Sequence, residues 1–311
     1  MQLTRAMNSK RVVIAGGTGF IGRALVREFS SRGWHIVVLT RSPHPREGVE
    51  EVQWDGMSAG PWMSAIDGAD AVINLTGKTI NCPHTPQNLQ EIMASRVNSV
   101  DAMASAISQA KSPPSVWVQA SALGYYGDTG DVIRTETSPP GQDALANICR
   151  QWESALESAA LAQTRKVVLR IGFVLGRDGG ALPVLAGMTR WFLGGAAGSG
   201  QQYISWIHLT DLASIFAAAV ADEKLTGTFN AVAPNPVTNA AFMRELRRVL
   251  RRPWCPPAPA FIVKLGARLK GSDGCLALIS QRCLPQRLGD DGFQFRFPQL
   301  RGALDDLYKP M

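Results

Sequence analysis

Three glycines near the amino terminus have the spacing of a phosphate-binding turn. Gly17, Gly19 and Gly22 fit the pattern G-x-G-x-x-G, between the apolar run 11–15 and a segment whose apolar residues recur at helical spacing. In such a strand–turn–helix unit the glycines allow a tight turn, close approach of the backbone to a pyrophosphate, and close packing of helix on strand. The helix amino terminus adds unpaired N–H groups and a partial positive charge. The sequence therefore predicts a dinucleotide-binding site.

The end of the second predicted strand indicates which dinucleotide binds. Residues 35–39 are β-branched or apolar after the first position, and Thr40 and Arg41 follow them. A site that prefers NAD usually places an Asp or Glu here for the ribose 2′-hydroxyl, whereas an Arg suits the 2′-phosphate of NADP. No acid occurs between Gly33 and Pro45. This favours NADP(H) over the plainer interpretation of a solvated arginine at the start of a loop.

Small and hydroxyl-bearing residues follow two further predicted strands. Thr76 and Gly77 come after the strand 71–75; they would let a cofactor approach the backbone, or form an ordinary turn. Asp55 could contact the adenine end of a cofactor or start a turn.

A hydroxyl-rich segment follows the strand 116–120. Ser121, Tyr125 and Tyr126 lie in it, where they could hydrogen-bond a substrate carbonyl or hydroxyl. Two adjacent tyrosines could equally serve packing and capping, so both interpretations stay open.

The order of strand-like and helix-like segments predicts the fold. Strands are expected at 11–15, 35–39, 71–75, 116–120, 166–171 and 228–232, with helices at 22–32, 89–110 and 144–161. Alternation of this kind builds βαβ units and an α/β, doubly wound parallel sheet of the Rossmann type, with ligands at the carboxyl ends of the strands.

Glycine and proline become frequent after Gly172, which indicates a second, smaller lobe. We expect residues 1–175 to form the dinucleotide-binding domain, with 204–235 returning to it, and residues 176–203 and 236–311 to form the smaller lobe. Thr210 or Asp211 can cap a helix that runs to Ala221. A lone histidine such as His208 is more often structural than catalytic.

Composition excludes several classes of function. The chain has 311 residues, a formal net charge of +7 and 45% hydrophobic residues, which allows a sizeable core. Its basic residues cluster only at 244–252, on a short helical pattern typical of a solvated face. We therefore expect neither a nucleic acid nor a membrane as a partner, although a basic chain suits an anionic ligand.

The cysteines and the apolar runs indicate a cytoplasmic protein without a metal site. Five widely spaced cysteines show no C-x-x-C or zinc-ligand spacing, which points to a reducing compartment. Met1 to Lys10 lacks the apolar core of a secretory signal. The longest nearly uncharged run, 181–200, is broken by Pro183 and Arg190, so no transmembrane helix is expected.

Taken together, the motifs resemble those of a known family. They are GGTGFIG at 16–22, LTRS at 39–42, NLTG at 74–77, SALGYYG at 121–127, RIGFVLG at 170–176, WIHLTDLA at 206–213 and NAVAPNPVTN at 230–239. The chain is similar to the extended short-chain dehydrogenases/reductases, and within them to the atypical 39U-type branch named only "epimerase family protein". Residues from about 253 to 304, including LPQRL at 284–288, resemble its short C-terminal domain.

The resemblance implies an NADP(H) site with defined contacts. Thr40 and Arg41 would hold the 2′-phosphate, Glu91 and Arg96 would face the cofactor from a long helix, and Phe173 would border the nicotinamide. The glycine loop would hold the pyrophosphate through Gly16, Thr18, Gly19, Phe20, Ile21 and Gly22. The middle of the cofactor would be lined by Leu75, Thr76 and Gly77.

One departure from the family pattern concerns catalysis. The superfamily's Tyr-x-x-x-Lys supplies a general acid/base and a lysine that lowers its pKa. Aligning on Glu153 puts Leu145 at the tyrosine position and Cys149 at the lysine position. These two share a helical face with Ile148, Trp152 and Leu156, the pattern of a packed helix. For the superfamily's serine, Ser121 and Ala122 compete.

Two functions fit this sequence. The first is an atypical NADP(H)-binding oxidoreductase or epimerase that acts on an unknown small substrate, with Tyr125 or Tyr126 as proton donor and Ser121 orienting the substrate oxygen. The alternative is a non-catalytic NADP(H)-binding sensor or interaction protein. The missing Tyr and Lys favour the second, and the glycine-rich loop 194–200, which implies a pocket, favours the first. The substrate, protein partner and oligomeric state stay open.

Overall fold

The computed structural model describes residues 9–309 except 270 and 272. The strands within these residues are β1 (Arg11–Ala15), β2 (His35–Thr40), β3 (Val49–Gln53), β4 (Ala71–Asn74), β5 (Val116–Ala122), β6 (Arg165–Ile171), β7 (Phe173–Leu175), β8 (Tyr203–Ile204), β9 (Trp206–His208), β10 (Gly227–Ala231) and β11 (Val237–Thr238). The helices are α1 (Phe20–Ser31), α2 (Pro86–Gln109), α3 (Ala144–Ser158), α4 (Leu182–Arg190), α5 (Leu209–Ala221), α6 (Asn239–Val249), α7 (Ala260–Leu269), α8 (Gln286–Asp290) and α9 (Leu300–Tyr308).

Seven strands form one central sheet in the order β10-β6-β5-β4-β1-β2-β3. Every neighbouring pair in it is parallel. The chain moves outward from β1 in both directions, so β1 and β4 meet where the strand order reverses, and ligands of such sheets bind at this point. The predicted α/β, doubly wound parallel sheet is confirmed.

The core lies on both faces of this sheet. The strands β1, β2 and β4 are almost entirely buried, as expected for parallel strands covered by helices. Helix α1 packs against α5, and α2 packs against α3. Because right-handed crossovers that lead to opposite edges of a sheet cover opposite faces, these two helix pairs form the outer layers.

A second hydrophobic cluster lies beyond the end of β6. It joins α4, α6 and α9 through residues such as Leu182, Phe242 and Leu304. The cluster draws on the segments that the sequence assigns to the smaller lobe, together with Leu175, Trp206 and Ala233 from the segments assigned to the dinucleotide-binding domain. The lobe boundaries themselves remain a prediction.

Several elements differ from the sequence prediction. Strand β3 and helix α4 were not predicted, and α2 begins at Pro86 instead of Leu89 because Thr85 Oγ1 caps it. Neither Thr210 nor Asp211 caps α5, since His208 Nδ1 accepts the hydrogen bond from the Thr210 backbone N–H.

Four further expectations concern membrane helices, disulfides, metal sites and a secretory signal. No helix within the described residues is long and apolar enough to cross a membrane. None of the five cysteines forms a disulfide, and no cluster of three metal-ligating side chains occurs in the described part of the chain. The first eight residues of the segment from Met1 to Lys10, where we expected no secretory signal, lie outside the described residues.

Candidate functional site

The glycine-rich turn lies at the carboxyl end of β1, in the centre of the sheet. Gly16 has φ +78°, a left-handed conformation that favours glycine, and its N–H donates to Leu39 O of β2 at 3.1 Å. The Gly19 N–H donates back to Gly16 O at 3.1 Å, and Gly19 is the N-cap residue of α1. The turn therefore places the amino terminus of α1 at the carboxyl ends of β1 and β4, where the strand order of the sheet reverses.

The glycines of the turn serve two different purposes. A Cβ on Gly22 would lie 2.3 Å from Gly16 O and 2.5 Å from Gly17 Cα, so only glycine lets α1 pack against the turn. A Cβ on Gly19 would meet only Gly16 O, at 3.3 Å, and Gly19 is exposed. The fold itself thus leaves open the space over Gly19 and the exposed Thr18, where a phosphate would lie.

Phe20 and Ile21 anchor the turn to the rest of the protein. Cβ atoms added to Gly176 and Gly179 would lie within 2.6 and 2.5 Å of the Phe20 ring. The ring therefore lies in a cradle of glycines after β7, and Ile21 packs against the main core. Both side chains are structural, although the backbone of Phe20 starts α1.

Arg41 projects from the end of β2. It is exposed and forms no ion pair within the described part of the chain, and the neighbouring Thr40 is half-buried. The described structure has no ion pair between Asp55 and Arg41. Instead, both Met57 N–H and Ser58 N–H donate to Asp55 Oδ1 at 2.8 Å, and these bonds lower the pKa of Asp55. Of the two interpretations of Asp55, the structure shows the turn.

Residues after β4 border the glycine turn. A Cβ on Gly16 would lie 3.4 Å from the Leu75 carbonyl carbon, so the two chain segments are in contact. The Thr76 hydroxyl is buried without a hydrogen-bond partner in the described structure. A buried polar atom without a partner is costly, so Thr76 Oγ1 marks a position suited to a ligand's donor or acceptor.

Arg96 of α2 reaches across to the same segment. Its Nη1 donates to Lys78 O and Ile92 O, each at 3.0 Å, and its guanidinium lies 5.0 Å from the centre of the Trp152 ring. No carboxylate pairs with it among the described residues, and burial lowers its pKa. An unneutralised, half-buried arginine beside Gly77 is suited to an anionic group.

Glu91 occupies the outer end of the same helix. It is exposed and forms an ion pair with Lys78, which lowers its pKa. The Lys78 ammonium also donates to Asn88 Oδ1 at 2.8 Å. Lys78 is not among the residues predicted for the site, although it comes directly after NLTG at 74–77 and lies at the same sheet edge.

Ser121 is engaged in a buried ion-pair network. Its Oγ donates to Glu153 Oε1 at 2.6 Å, and Arg170 holds the same carboxylate with two bonds of 2.9 and 2.7 Å. The Arg170 side chain is only 5% exposed. Neither Glu153 nor Arg170 is predicted as a site residue, because partners 17 residues apart leave no local pattern in the sequence.

The two adjacent tyrosines have different environments. Tyr126 is buried, accepts from Arg170 Nη1 and donates to Asn230 Oδ1, both at 2.8 Å, and burial raises its pKa to about 12. The Tyr125 ring stacks on the Arg170 guanidinium at 3.4 Å and is half-buried. Tyr126 has the packing role that the sequence left open. Its place, and that of Ser121, in catalysis stays a prediction.

Tyr125 also borders a polar surface groove of about 280 Å³. The other residues around it are Arg150, Gln151, Glu153, Ser154 and Glu157 of α3. By helical spacing this face of α3 differs from the face that carries Leu145 and Cys149.

Leu145 and Cys149 face the turn that follows β5. A Cβ on Gly124 would lie 3.9 Å from Leu145 Cβ and 3.5 Å from Cys149 Sγ. Burial, with the nearby Glu153 carboxylate, raises the pKa of the Cys149 thiol to about 12. The packed helical face predicted for α3 is confirmed, and it carries neither a tyrosine nor a lysine at these two positions.

Phe173 begins β7 and turns toward the second hydrophobic cluster. Its ring makes an edge contact with Phe242 of α6 at 5.7 Å. Its N–H donates to Ser205 O at 2.8 Å. Phe173 thus connects the carboxyl end of β6 with the second hydrophobic cluster.

The fold and this site define a class of protein: a Rossmann dinucleotide-binding protein with an additional C-terminal region. The model of the NAD dependent epimerase/dehydratase family matches residues 12–231, and a domain of unknown function (DUF1731) matches residues 258–307. The chain belongs to the NAD dependent epimerase/dehydratase family.

Individual relatives indicate which branch of the family the chain resembles. The chain is 36% identical over 301 residues to human "Epimerase family protein SDR39U1", covering 96% of this chain and 99% of the human one. It is 37% identical over 299 residues to the "Epimerase family protein SDR39U1 homolog, chloroplastic" of Arabidopsis thaliana, covering 94% and 85% of the two chains. The resemblance to this branch is thereby confirmed.

Solved structures of similar proteins have the same fold as this chain. The human SDR39U1 structure, which was determined with NADPH, superimposes with a TM-score of 0.86 at 34% identity and covers 97% of this chain and 100% of the other. A nucleoside-diphosphate sugar epimerase from Corynebacterium glutamicum superimposes with a TM-score of 0.79 at 32% identity, over 97% of this chain and 58% of its own.

Proposed function

We propose that this protein binds NADP(H) at the carboxyl ends of β1, β2 and β4. The observation that carries the proposal is the turn at Gly16–Gly22 beside an exposed Arg41 that no acid neutralises in the part of the chain that the structure describes. The human SDR39U1 structure with NADPH supports it.

The surrounding residues fit this cofactor. The open space over Gly19 suits a pyrophosphate at the amino terminus of α1. Among the described residues Thr76 Oγ1 has no hydrogen-bond partner and Arg96 has no ion pair, so these side chains suit the ribose and phosphate groups in the middle of the cofactor. Arg41 would hold the 2′-phosphate. When bound, the cofactor supplies or accepts a hydride at its nicotinamide.

We further propose that the protein is an oxidoreductase or epimerase that works without the superfamily's tyrosine and lysine. Leu145 has no ionisable group, and the Cys149 thiol stays neutral because its pKa is about 12. Both side chains pack against the turn that follows β5. Another group must therefore supply the proton, and Tyr125 is the candidate because its hydroxyl has no hydrogen-bond partner within the described residues.

A non-catalytic sensor of NADP(H) is the second candidate. The observation that favours it is that Ser121 and Tyr126 are both committed to the network around Arg170. A panel of carbonyl compounds with NADPH, followed by cofactor absorbance, distinguishes the two. Turnover by the wild type supports the enzyme, whereas tight cofactor binding without turnover supports the sensor. The cysteines, all without disulfides, support a reducing compartment, which we propose is the cytoplasm.

A further inference from the structure

The largest accumulation of exposed apolar side chains lies far along the chain from the cofactor turn. Nine of the thirteen large hydrophobic side chains that are exposed in the described residues fall in the segments 184–193 and 254–265. Trp191, Trp254 and Phe261 are 81%, 74% and 70% exposed. Contiguous exposed apolar surface of this kind marks an interaction site. We call these two segments the apolar patch.

Hydrogen bonds join the two segments into one surface. Cys255 Sγ donates to Phe192 O at 2.9 Å, and Ala258 N–H donates to Ala196 O at 2.8 Å. Arg247 of α6 donates to Gly194 O at 2.5 Å, which fastens the patch to the second hydrophobic cluster. The patch is thus part of the folded structure and is held against its core.

Two helices of the patch are amphipathic. Phe261, Ile262 and Leu265 share one exposed face of α7, with Lys264 and Arg268 beside them. In α4, Val184 and Met188 are exposed one turn apart, before Trp191. Helices with an apolar face flanked by cations bind in the plane of a lipid interface, where tryptophan is also enriched.

The segments that form the patch and the residues that flank it in the sequence carry the excess of positive charge. Residues 182–200 and 239–269 contain eight Lys and Arg and one acid, Glu245, whereas the rest of the chain holds 24 of each sign. Glu245 is paired with Arg244 and its side chain is 19% exposed. The whole formal charge of +7 therefore belongs to these segments. Arg252, whose guanidinium lies 5.3 Å from the centre of the Phe192 ring, places a cation directly against the apolar side chains.

We infer that the apolar patch and its arginines bind the surface of an anionic phospholipid membrane. Membrane association was not expected from the sequence, because the residues 184–193 and 254–265 are contiguous only in the fold. A second copy of this chain is a poor occupant, since two such patches would bring like charges together. Nucleic acid would neutralise the arginines, but it offers nothing to the aliphatic Leu193, Ile262 and Leu265.

Vesicle flotation tests this inference with the full chain. The wild type is expected to float with phosphatidylcholine vesicles that contain phosphatidylserine, to dissociate at high salt, and to bind pure phosphatidylcholine at least about tenfold more weakly. Tryptophan emission should shift to the blue on binding, because Trp191 and Trp254 leave water.

Matched variants locate the binding surface. The triple change Trp191→Ser, Trp254→Ser and Phe261→Ser should weaken vesicle binding at least about tenfold. The triple change Arg248→Gln, Arg252→Gln and Lys264→Gln should do the same by removing charge. The control Met57→Ser, Val132→Ser and Ile133→Ser changes exposed apolar residues elsewhere and should bind as the wild type does. Unfolding midpoints establish that each variant is folded.

Four outcomes overturn the inference. They are no binding of the wild type to anionic vesicles, equal binding to neutral vesicles, an equal loss in the control variant, and binding to polyglutamate or a single-stranded oligonucleotide without binding to vesicles. The last assigns the surface to an acidic protein or a nucleic acid.

Discussion

Ser121 donates its hydroxyl hydrogen to Glu153 over 2.6 Å, so the one serine at the end of β5 is bound to a side chain of the protein. The same carboxylate is the only counter-charge of Arg170 in the described structure, and the Arg170 side chain is 5% exposed. Ser121 and Glu153 thus belong to a buried network that holds the residues around the site in place. Breaking this network is expected to affect stability first.

Glu153→Ala should lower the free energy of unfolding by about 3–5 kcal/mol, because it leaves a buried arginine unpaired. Ser121→Ala removes one hydrogen bond to a charged group and should cost about 1–3 kcal/mol. Urea denaturation measures both. Glu157→Ala, at an exposed position on the same helix, is the control and should be nearly neutral. A Glu153→Ala protein as stable as the control would show that the network does not hold the fold.

Substitutions in the glycine turn should separate folding from cofactor binding. Gly22→Val places side-chain atoms against Gly16 and Gly17 and should unfold the domain or strongly destabilise it. A Cβ at Gly19 meets only one backbone oxygen, at 3.3 Å, so Gly19→Val should lower the unfolding midpoint far less than Gly22→Val does while abolishing NADPH binding. Thermal unfolding and NADPH fluorescence report the two effects. Unchanged NADPH affinity in folded Gly19→Val protein would refute the placement of the pyrophosphate.

The elements that the sequence predicted are those whose patterns are local. The buried runs of β1 and β2 and the glycine turn are legible because apolar composition and glycine spacing are read within about ten residues. Strand β3, at 49–53, carries two glutamates at the sheet edge, and α4 lies within a run of glycines. The apolar residues of α4 pack against distant parts of the chain, so the neighbouring sequence shows no helical pattern.

The hydrogen-bond network around Arg170 joins residues that are far apart in the sequence and meet only in the folded protein. Glu153 and Arg170 come from α3 and β6, and Asn230 reaches Tyr126 across 104 residues. His208 caps α5 because its Nδ1 lies over the first turn, whereas cap preferences point to Thr210 or Asp211. The pairing of a serine or tyrosine with such partners leaves no trace in sequence spacing.

The buried His208 should make stability depend on pH. Burial lowers its pKa from 6.5 to about 4. Because the unfolded chain binds the proton more readily in this range, the stabilisation is complete above pH 6.5 and is lost as the pH falls toward 4, by about 2–3 kcal/mol. His208→Asn keeps a capping acceptor but does not titrate. Urea denaturation across this range should show a smaller loss for the variant; equal losses would exclude His208 as the cause.

Cys149 and the tyrosines should contribute unequally to function. Cys149→Ala should leave NADPH affinity and any turnover nearly unchanged, because the neutral thiol only packs. If the carbonyl panel reveals turnover, Tyr125→Phe should lower it about 10²–10⁴-fold, the range of a lost general acid. Tyr126→Phe removes a buried hydroxyl and should cost about 1–3 kcal/mol of stability instead. A large activity loss in Cys149→Ala would show that the catalytic centre is misplaced.

The most direct test of the whole account is a titration of the wild type and of Arg41→Ala with NADPH and with NADH. We expect the wild type to prefer NADPH, since a phosphate–arginine contact is worth about 1–3 kcal/mol, or roughly 5- to 150-fold in affinity. Arg41→Ala should remove this preference and leave NADH affinity unchanged. Equal affinities of the wild type for both nucleotides, or undiminished NADPH binding by Arg41→Ala, would contradict the NADP(H) site.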